Sequence, residues 1–166
     1  MSRYRKISVR MWGDEGFRAL SPLRPSGQGL WVYLLTGTHT SIVPGLSAVR
    51  LVTIAEELRW PFAATRKAWQ EIVRAEMAES DWTAGLVWLP RAVSHNRPES
   101  LNVAKGWGRA CDDLPECPLR TKAVARLTAW LREALGEAFA CAFTEGLTGE
   151  RGGPSPNQEQ EQEHEQ

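Results

Sequence analysis

Hydrophobic positions recur along this chain with two different periods, and the switch from one to the other predicts where its elements lie. Tyr4, Lys6, Ser8 and Arg10 share one parity, while Arg5, Ile7, Val9 and Met11 share the other. This alternation predicts a half-buried strand over residues 4–11. The run from Trp12 to Phe17 then turns, with one helical turn on to Leu20. Pro22, Pro25, Gly27 and Gly29 mark a loop. Leu30, Trp31, Leu34 and Leu35 form a buried helical face, so a first full helix is expected over 26–36, with Ser26 as its N-cap. Residues 38–45 read as a loop.

A second helix follows from Leu51, Ile54, Ala55 and Leu58, with Thr53, Glu56, Glu57 and Arg59 outside. Trp60-Pro61 ends it, because proline disfavours helix at the residue before it. Pro61 suits the first turn of a third helix, expected over about residues 62–76. There Phe62, Thr65, Trp69, Ile72 and Val73 share the inner face, and Arg66, Lys67, Gln70, Glu71 and Arg74 the outer one. Two amphipathic helices this close together have the spacing of a helix-turn-helix. Residues 77–82 and Leu86 to Leu89 then flank Thr83-Ala84-Gly85, a hairpin with glycine where positive φ is favoured. Helix, helix, short turn, helix and hairpin is the order of a winged helix. A strand at residues 4–11 pairing with the hairpin would complete it.

His95 to Ser100 is a polar connector. A helix is expected over 101–114, with Val103, Trp107, Ala110 and Cys111 at helical spacing. A further helical stretch over 120–143 carries Val124, Leu127, Leu131, Leu135, Phe139 and Phe143 on one face, and Gly136 divides it. After Gly152-Gly153-Pro154, the Gln/Glu run to Gln166 has no apolar residue to offset the entropy of ordering, so 150–166 is expected to be disordered. The expected fold is mainly α with a small β-hairpin. A winged helix-turn-helix occupies 1–97, a C-terminal helical extension 98–149, and an acidic tail 150–166.

Composition narrows the class. The chain has 166 residues and a mass of 18.6 kDa, room for one domain and tails. No apolar run approaches the roughly 20 residues of a membrane-spanning helix, and no apolar stretch follows the basic start as in a secretory signal. Three cysteines, Cys111, Cys117 and Cys141, are too few and too odd for a disulfide scaffold. A cytoplasmic protein is expected. The formal net charge is zero, but unevenly spread. Residues 1–111 hold 15 Lys and Arg against 9 Asp and Glu, whereas residues 150–166 hold five Glu and one Arg. A basic body points to a polyanionic partner.

In a winged helix the third helix enters the major groove. Arginine pairs with guanine and glutamine with adenine there, which singles out Ala63, Arg66, Lys67, Gln70 and Arg74. Arg3, Arg5 and Lys6 are expected to hold phosphates. Glu71, Glu79 and Asp81 weigh against a strong hairpin contact. The eight tryptophans read as core rather than as base-stacking platforms. Trp82 and Trp88, on either side of the turn, are placed to pair across the hairpin. None of His39, His95 and His164 has a partner at metal-ligand spacing, and Cys111 and Cys117 lack a second pair. Phosphate loops, dinucleotide fingerprints and nucleophile elbows are missing. No enzyme, cofactor or metal is expected.

Residues 6–17, Lys-Ile-Ser-Val-Arg-Met-Trp-Gly-Asp-Glu-Gly-Phe, resemble the opening of phage and prophage replisome organizers with a DnaD-like role. Residues 54–60, Ile-Ala-Glu-Glu-Leu-Arg-Trp, are similar to their second helix. Residues 82–90 and 95–103 resemble their wing and the segment after it. The likeness spans about residues 3–114. It implies a winged-helix domain that binds origin DNA in replication initiation, and a replicative helicase or its loader as partner. Two features depart from that pattern: no recognisable second domain follows the linker, and Glu76 stands where glycine usually precedes the wing. Two alternatives stay open. One is a protein-interaction module that uses the stripe Leu127, Leu131 and Leu135 for a partner or for self-association. The other is a winged-helix transcriptional regulator.

Overall fold

The structure is a computed structural model and describes residues 8–148. Arg3, Arg5 and Lys6, the first half of the expected strand at 4–11 and the expected disordered tail at 150–166 lie outside the described residues. Where residues 8–11 are described they form no strand. The Ser8 hydroxyl accepts from the Arg10 amide and opens a 3-10 turn over Val9–Gly13. What fixes this segment is side-chain anchoring rather than backbone pairing. The Trp12 indole donates to Thr36 Oγ1 at 3.1 Å, and its ring sits edge-on to Phe17 and Tyr33. A short polar serine can cap a local turn and so compete with a sheet ladder.

Helix α1 spans Glu15–Ala19, and Asp14 caps it by accepting from the Phe17 amide. Helix α2 spans Gly27–Thr36, and Ser26 caps it as expected. Strand β1, Leu46–Ala48, follows a stretch read from sequence as a loop. Helices α3, Leu51–Leu58, and α4, Phe62–Arg74, come next, then strands β2, Glu79–Asp81, and β3, Leu86–Trp88. A 3-10 turn at Ala92–His95 leads to α5, Leu101–Asp112, α6, Pro118–Leu135, and α7, Glu137–Thr148. Gly136, at φ +98°, separates α6 from α7.

The sheet is antiparallel in the order β1-β3-β2. Leu46 pairs with Trp88 on one side, and Glu79 pairs with Trp88 on the other. Among the described residues, the strand beside the hairpin is β1. Central strand β3 is buried on both faces, and successive side chains point to opposite sides. Val87 and Leu89 join the cluster built by α2, α3 and α4. Leu86 and Trp88 join a second cluster with Trp107, Leu127, Leu131 and Phe143. That second cluster draws on both sides of residue 97. Trp82 and Trp88 thus point into different cores and do not pair across the hairpin. Trp82 packs on Trp69 instead, at 4.9 Å between ring centroids and 70° between planes. The stripe at Leu127 and Leu131 is fully buried within the chain, and Leu135 is half-buried.

Helices α5 and α7 touch through glycine. A Cβ added to Gly108 would lie 2.1 Å from the Phe143 carbonyl oxygen and 2.8 Å from Gly146 Cα. A Cβ on Gly146 would lie 2.1 Å from the Lys105 carbonyl oxygen. Backbone meets backbone here, with no room for a side chain.

Helices α3 and α4 end in the same way. The Trp60 amide donates to Ala55 O and the Arg59 amide to Glu56 O, with Arg59 at φ +57°. The Met77 amide donates to Ile72 O and the Glu76 amide to Val73 O, with Glu76 at φ +54°. This paired pattern satisfies the last helical carbonyls around one left-handed residue, usually glycine. Helix α4 therefore stops at Arg74, two residues short of the expected 62–76. Glu76 holds a conformation that costs a side chain roughly 1–2 kcal/mol. The Glu76→Gly variant is accordingly expected to be more stable by about 0.5–1 kcal/mol, the relief of that strain less the added freedom of the unfolded chain. Urea denaturation with an unchanged m-value checks it.

Candidate nucleic-acid interface

Helix α4 presents a clean division of labour. Thr65, Ala68, Trp69 and Ile72 are buried, and the Thr65 hydroxyl is satisfied by donating to Pro61 O at 3.3 Å. Ala63, Arg66, Lys67, Gln70 and Arg74 are all exposed, as expected. Phe62 and Val73, expected on the inner face, are instead 50% and 42% exposed. The 3.6-residue period places Ala68 inside, between Thr65 and Ile72, and turns Phe62 and Val73 towards the rim. Among the described residues, Arg66, Lys67 and Arg74 form no ion pair, so their charges stand free.

The acidic residues that weighed against contact are each engaged elsewhere. Glu71 accepts from the Gly27 amide at 3.2 Å, at the start of α2, where the helix dipole favours an anion. Glu79 pairs with Lys122 of α6 at 2.5 Å. Asp81 accepts from the Thr83 and Ala84 amides at 3.1 and 3.0 Å and so shapes the hairpin turn. Gly85 closes that turn at φ +70°. Its position meets Arg50, the exposed residue before α3, whose side chain runs along the turn. The sequence reading passed over Arg50, which has no helical neighbour of its own type; only the fold brings it to the hairpin.

The tryptophans serve packing. Trp60, Trp69, Trp88 and Trp107 are buried, and Trp12, Trp31, Trp82 and Trp130 pack partly buried against the two clusters. None is left as an open stacking platform.

On another face, a cavity of about 390 Å³ lies between residues 12–23 and helices α2 and α3. Its polar groups answer one another. The Tyr33 hydroxyl donates to Glu57, Thr38 Oγ1 donates to Glu57 at 3.0 Å, and His39 Nε2 lies 2.8 Å from Glu57. Arg59 donates to the carbonyls of Arg18 and Leu20. Burial, and then the Glu57 carboxylate, raise the Tyr33 phenol well above its ordinary value. Burial also raises the Glu57 carboxyl, but the hydrogen bonds from Tyr33, His39 and Thr38 outweigh it and leave the group below its ordinary value of 4.5. A carboxyl lowered by folding contributes stability that is complete above its unfolded value and disappears as pH falls through the folded one. The unfolding midpoint should therefore drop more steeply in the parent than in Glu57→Gln as pH falls below the ordinary carboxylate value of 4.5. Parallel melting curves from above that value to below it check it.

Among the described residues, no group of three or more His, Cys, Asp or Glu is placed to hold a metal ion. No helix among them is long and apolar enough to cross a membrane. Cys111 is buried, which pushes its thiol up to about 12 against a weaker opposing pull from Arg120. Compared with protein-family models, with curated proteins and with solved structures, the chain gives no match.

Proposed function

We propose that this chain binds double-stranded DNA without catalysis, through a winged-helix unit formed by α2, β1, α3, α4, β2 and β3. In this reading α4 lies in the major groove. Arg66 and Gln70 face base edges, and Lys67 and Arg74 face phosphates. Phe62 and Ala63, at the exposed start of α4, suit contact with thymine methyl groups. The observation that carries the reading is the outer face of α4: three cations without carboxylate partners among the described residues, on a helix whose inner face is packed. The pairing of Glu79 with Lys122 and the turning of the Glu71 and Asp81 carboxylates towards backbone amides support it further, since each is directed at a protein partner.

The setting we propose is initiation of phage or prophage DNA replication. Its support is the resemblance of residues 3–114 to replisome organizers, for which a replicative helicase or its loader is the implied partner. The Leu127 and Leu131 stripe is consumed by the chain's own second cluster, which favours DNA binding over a partner helix at that face.

Amide chemical shifts followed while a short duplex is titrated into the labelled full chain test this reading. Changes concentrated in residues 62–74 and the hairpin support it. Changes confined to α5, α6 and α7 contradict it.

A further inference from the structure

We infer that Arg50 and the hairpin turn form a second phosphate-holding ledge beside α4, with Arg50 as its charged contact. The inference rests on the duplex-binding reading and extends it to a residue on a different element. Three observations carry it. First, Arg50 is exposed and makes no ion pair among the described residues, and the first turn of α3 has no acidic residue to oppose an anion.

Second, its side chain is laid along the turn rather than loose in solvent. A Cβ on Gly85 would come within 3.2 Å of Arg50 Cγ and 3.5 Å of its Nε. Gly85 therefore does two things: it supplies the positive φ and leaves the groove in which the arginine stem lies. A stem held by packing loses less freedom when its guanidinium meets a phosphate.

Third, the turn is fixed relative to α4. Trp82, at its edge, packs against Trp69 on the inner side of α4, and the Asp81 carboxylate holds the Thr83 and Ala84 amides. Asp81 keeps its negative charge, but its carboxylate is turned in to those two amides, and Arg50 is a cation whose stem lies against the turn. The occupant is the sugar-phosphate backbone of the same duplex that α4 engages. Guanidinium suits it, since its planar fork matches phosphate oxygens.

The experiment compares salt dependence of binding to a labelled random-sequence duplex for the full chain and three variants: Arg50→Ala, Arg50→Lys, and the combined Arg66→Ala, Lys67→Ala, Arg74→Ala. Each neutralised phosphate contributes about 0.9 to the slope of log affinity against log salt. Arg50→Ala is expected to flatten the slope by about that amount and to weaken binding roughly eightfold at about 0.1 M salt. Arg50→Lys is expected to keep the slope, because it keeps the charge. A slope unchanged in Arg50→Ala, with the combined variant weakened, overturns this inference and leaves the α4 reading standing. A parent chain that does not bind, or a combined variant that binds as the parent does, overturns the α4 reading and this inference with it. Near-ultraviolet circular dichroism of Arg50→Ala matching the parent secures the folded state; if it differs, the Arg50→Lys slope and that of Arg50→Gln decide in its place.

Discussion

Alanine at Arg66, Lys67 and Arg74 together is expected to weaken duplex binding on the order of a hundredfold at about 0.1 M salt, and to leave folding intact. All three side chains are exposed on α4 and form no ion pair among the described residues, so their removal takes away no buried contact and strands no partner there. Surface substitutions of this kind usually change stability by less than about 0.5 kcal/mol each, and alanine favours the helix. Binding, by contrast, loses up to three phosphate or base contacts, and each phosphate contact is strongly salt-dependent. Anisotropy titration beside a melting curve separates the two effects. A variant that binds as tightly as the parent would remove α4 from the interface.

Gly108→Ala is expected to destabilise the fold by at least about 3 kcal/mol, lowering the unfolding midpoint by roughly 6–12 °C. Helix propensity alone predicts the opposite sign, since alanine in place of glycine inside a helix is worth about 1 kcal/mol. The clash decides. The new Cβ would sit 2.1 Å from a backbone oxygen of α7, which has no rotamer by which to move aside. Helix α7 would have to shift, and Phe143, fully buried in the second cluster, would shift with it. Gly106, two residues away on the same helix, is the control. A Cβ there meets only Ile42 Cδ1 at 3.9 Å, so Gly106→Ala is expected to be neutral or stabilising by up to about 1 kcal/mol. Equal effects from the two variants would mean that α5 and α7 do not meet through glycine.

What could be read from the sequence follows the range of each interaction. Helices α2, α3 and α4 were legible because period, cap and breaker are local: Ser26 caps, Trp60-Pro61 divides, and Leu51, Ile54, Ala55 and Leu58 keep one face. The hairpin was legible from Gly85, and the break between α6 and α7 from Gly136. Strand β1 was not, because three residues carry too little periodicity and its identity comes from pairing with β3, forty residues on. The same limit bears on residues 8–11: they alternate in the sequence, yet they form a 3-10 turn, and the described strand beside β3 is Leu46–Ala48. Trp82 illustrates it again, since which core a strand residue enters depends on register and not on its distance from the turn. The outward residues of the candidate interface were legible because amphipathicity is local. Arg50 was not, because it reaches the hairpin only through the tertiary fold.

The central claim, that this chain holds duplex DNA through its basic face, is tested most directly by the affinity of the full chain for a labelled random-sequence duplex across a salt series. The account predicts binding at low salt, with log affinity falling linearly against log salt at a slope that reports several phosphate contacts. A folded protein that fails to bind the duplex at low salt, or binds it with no dependence on salt, would contradict the account.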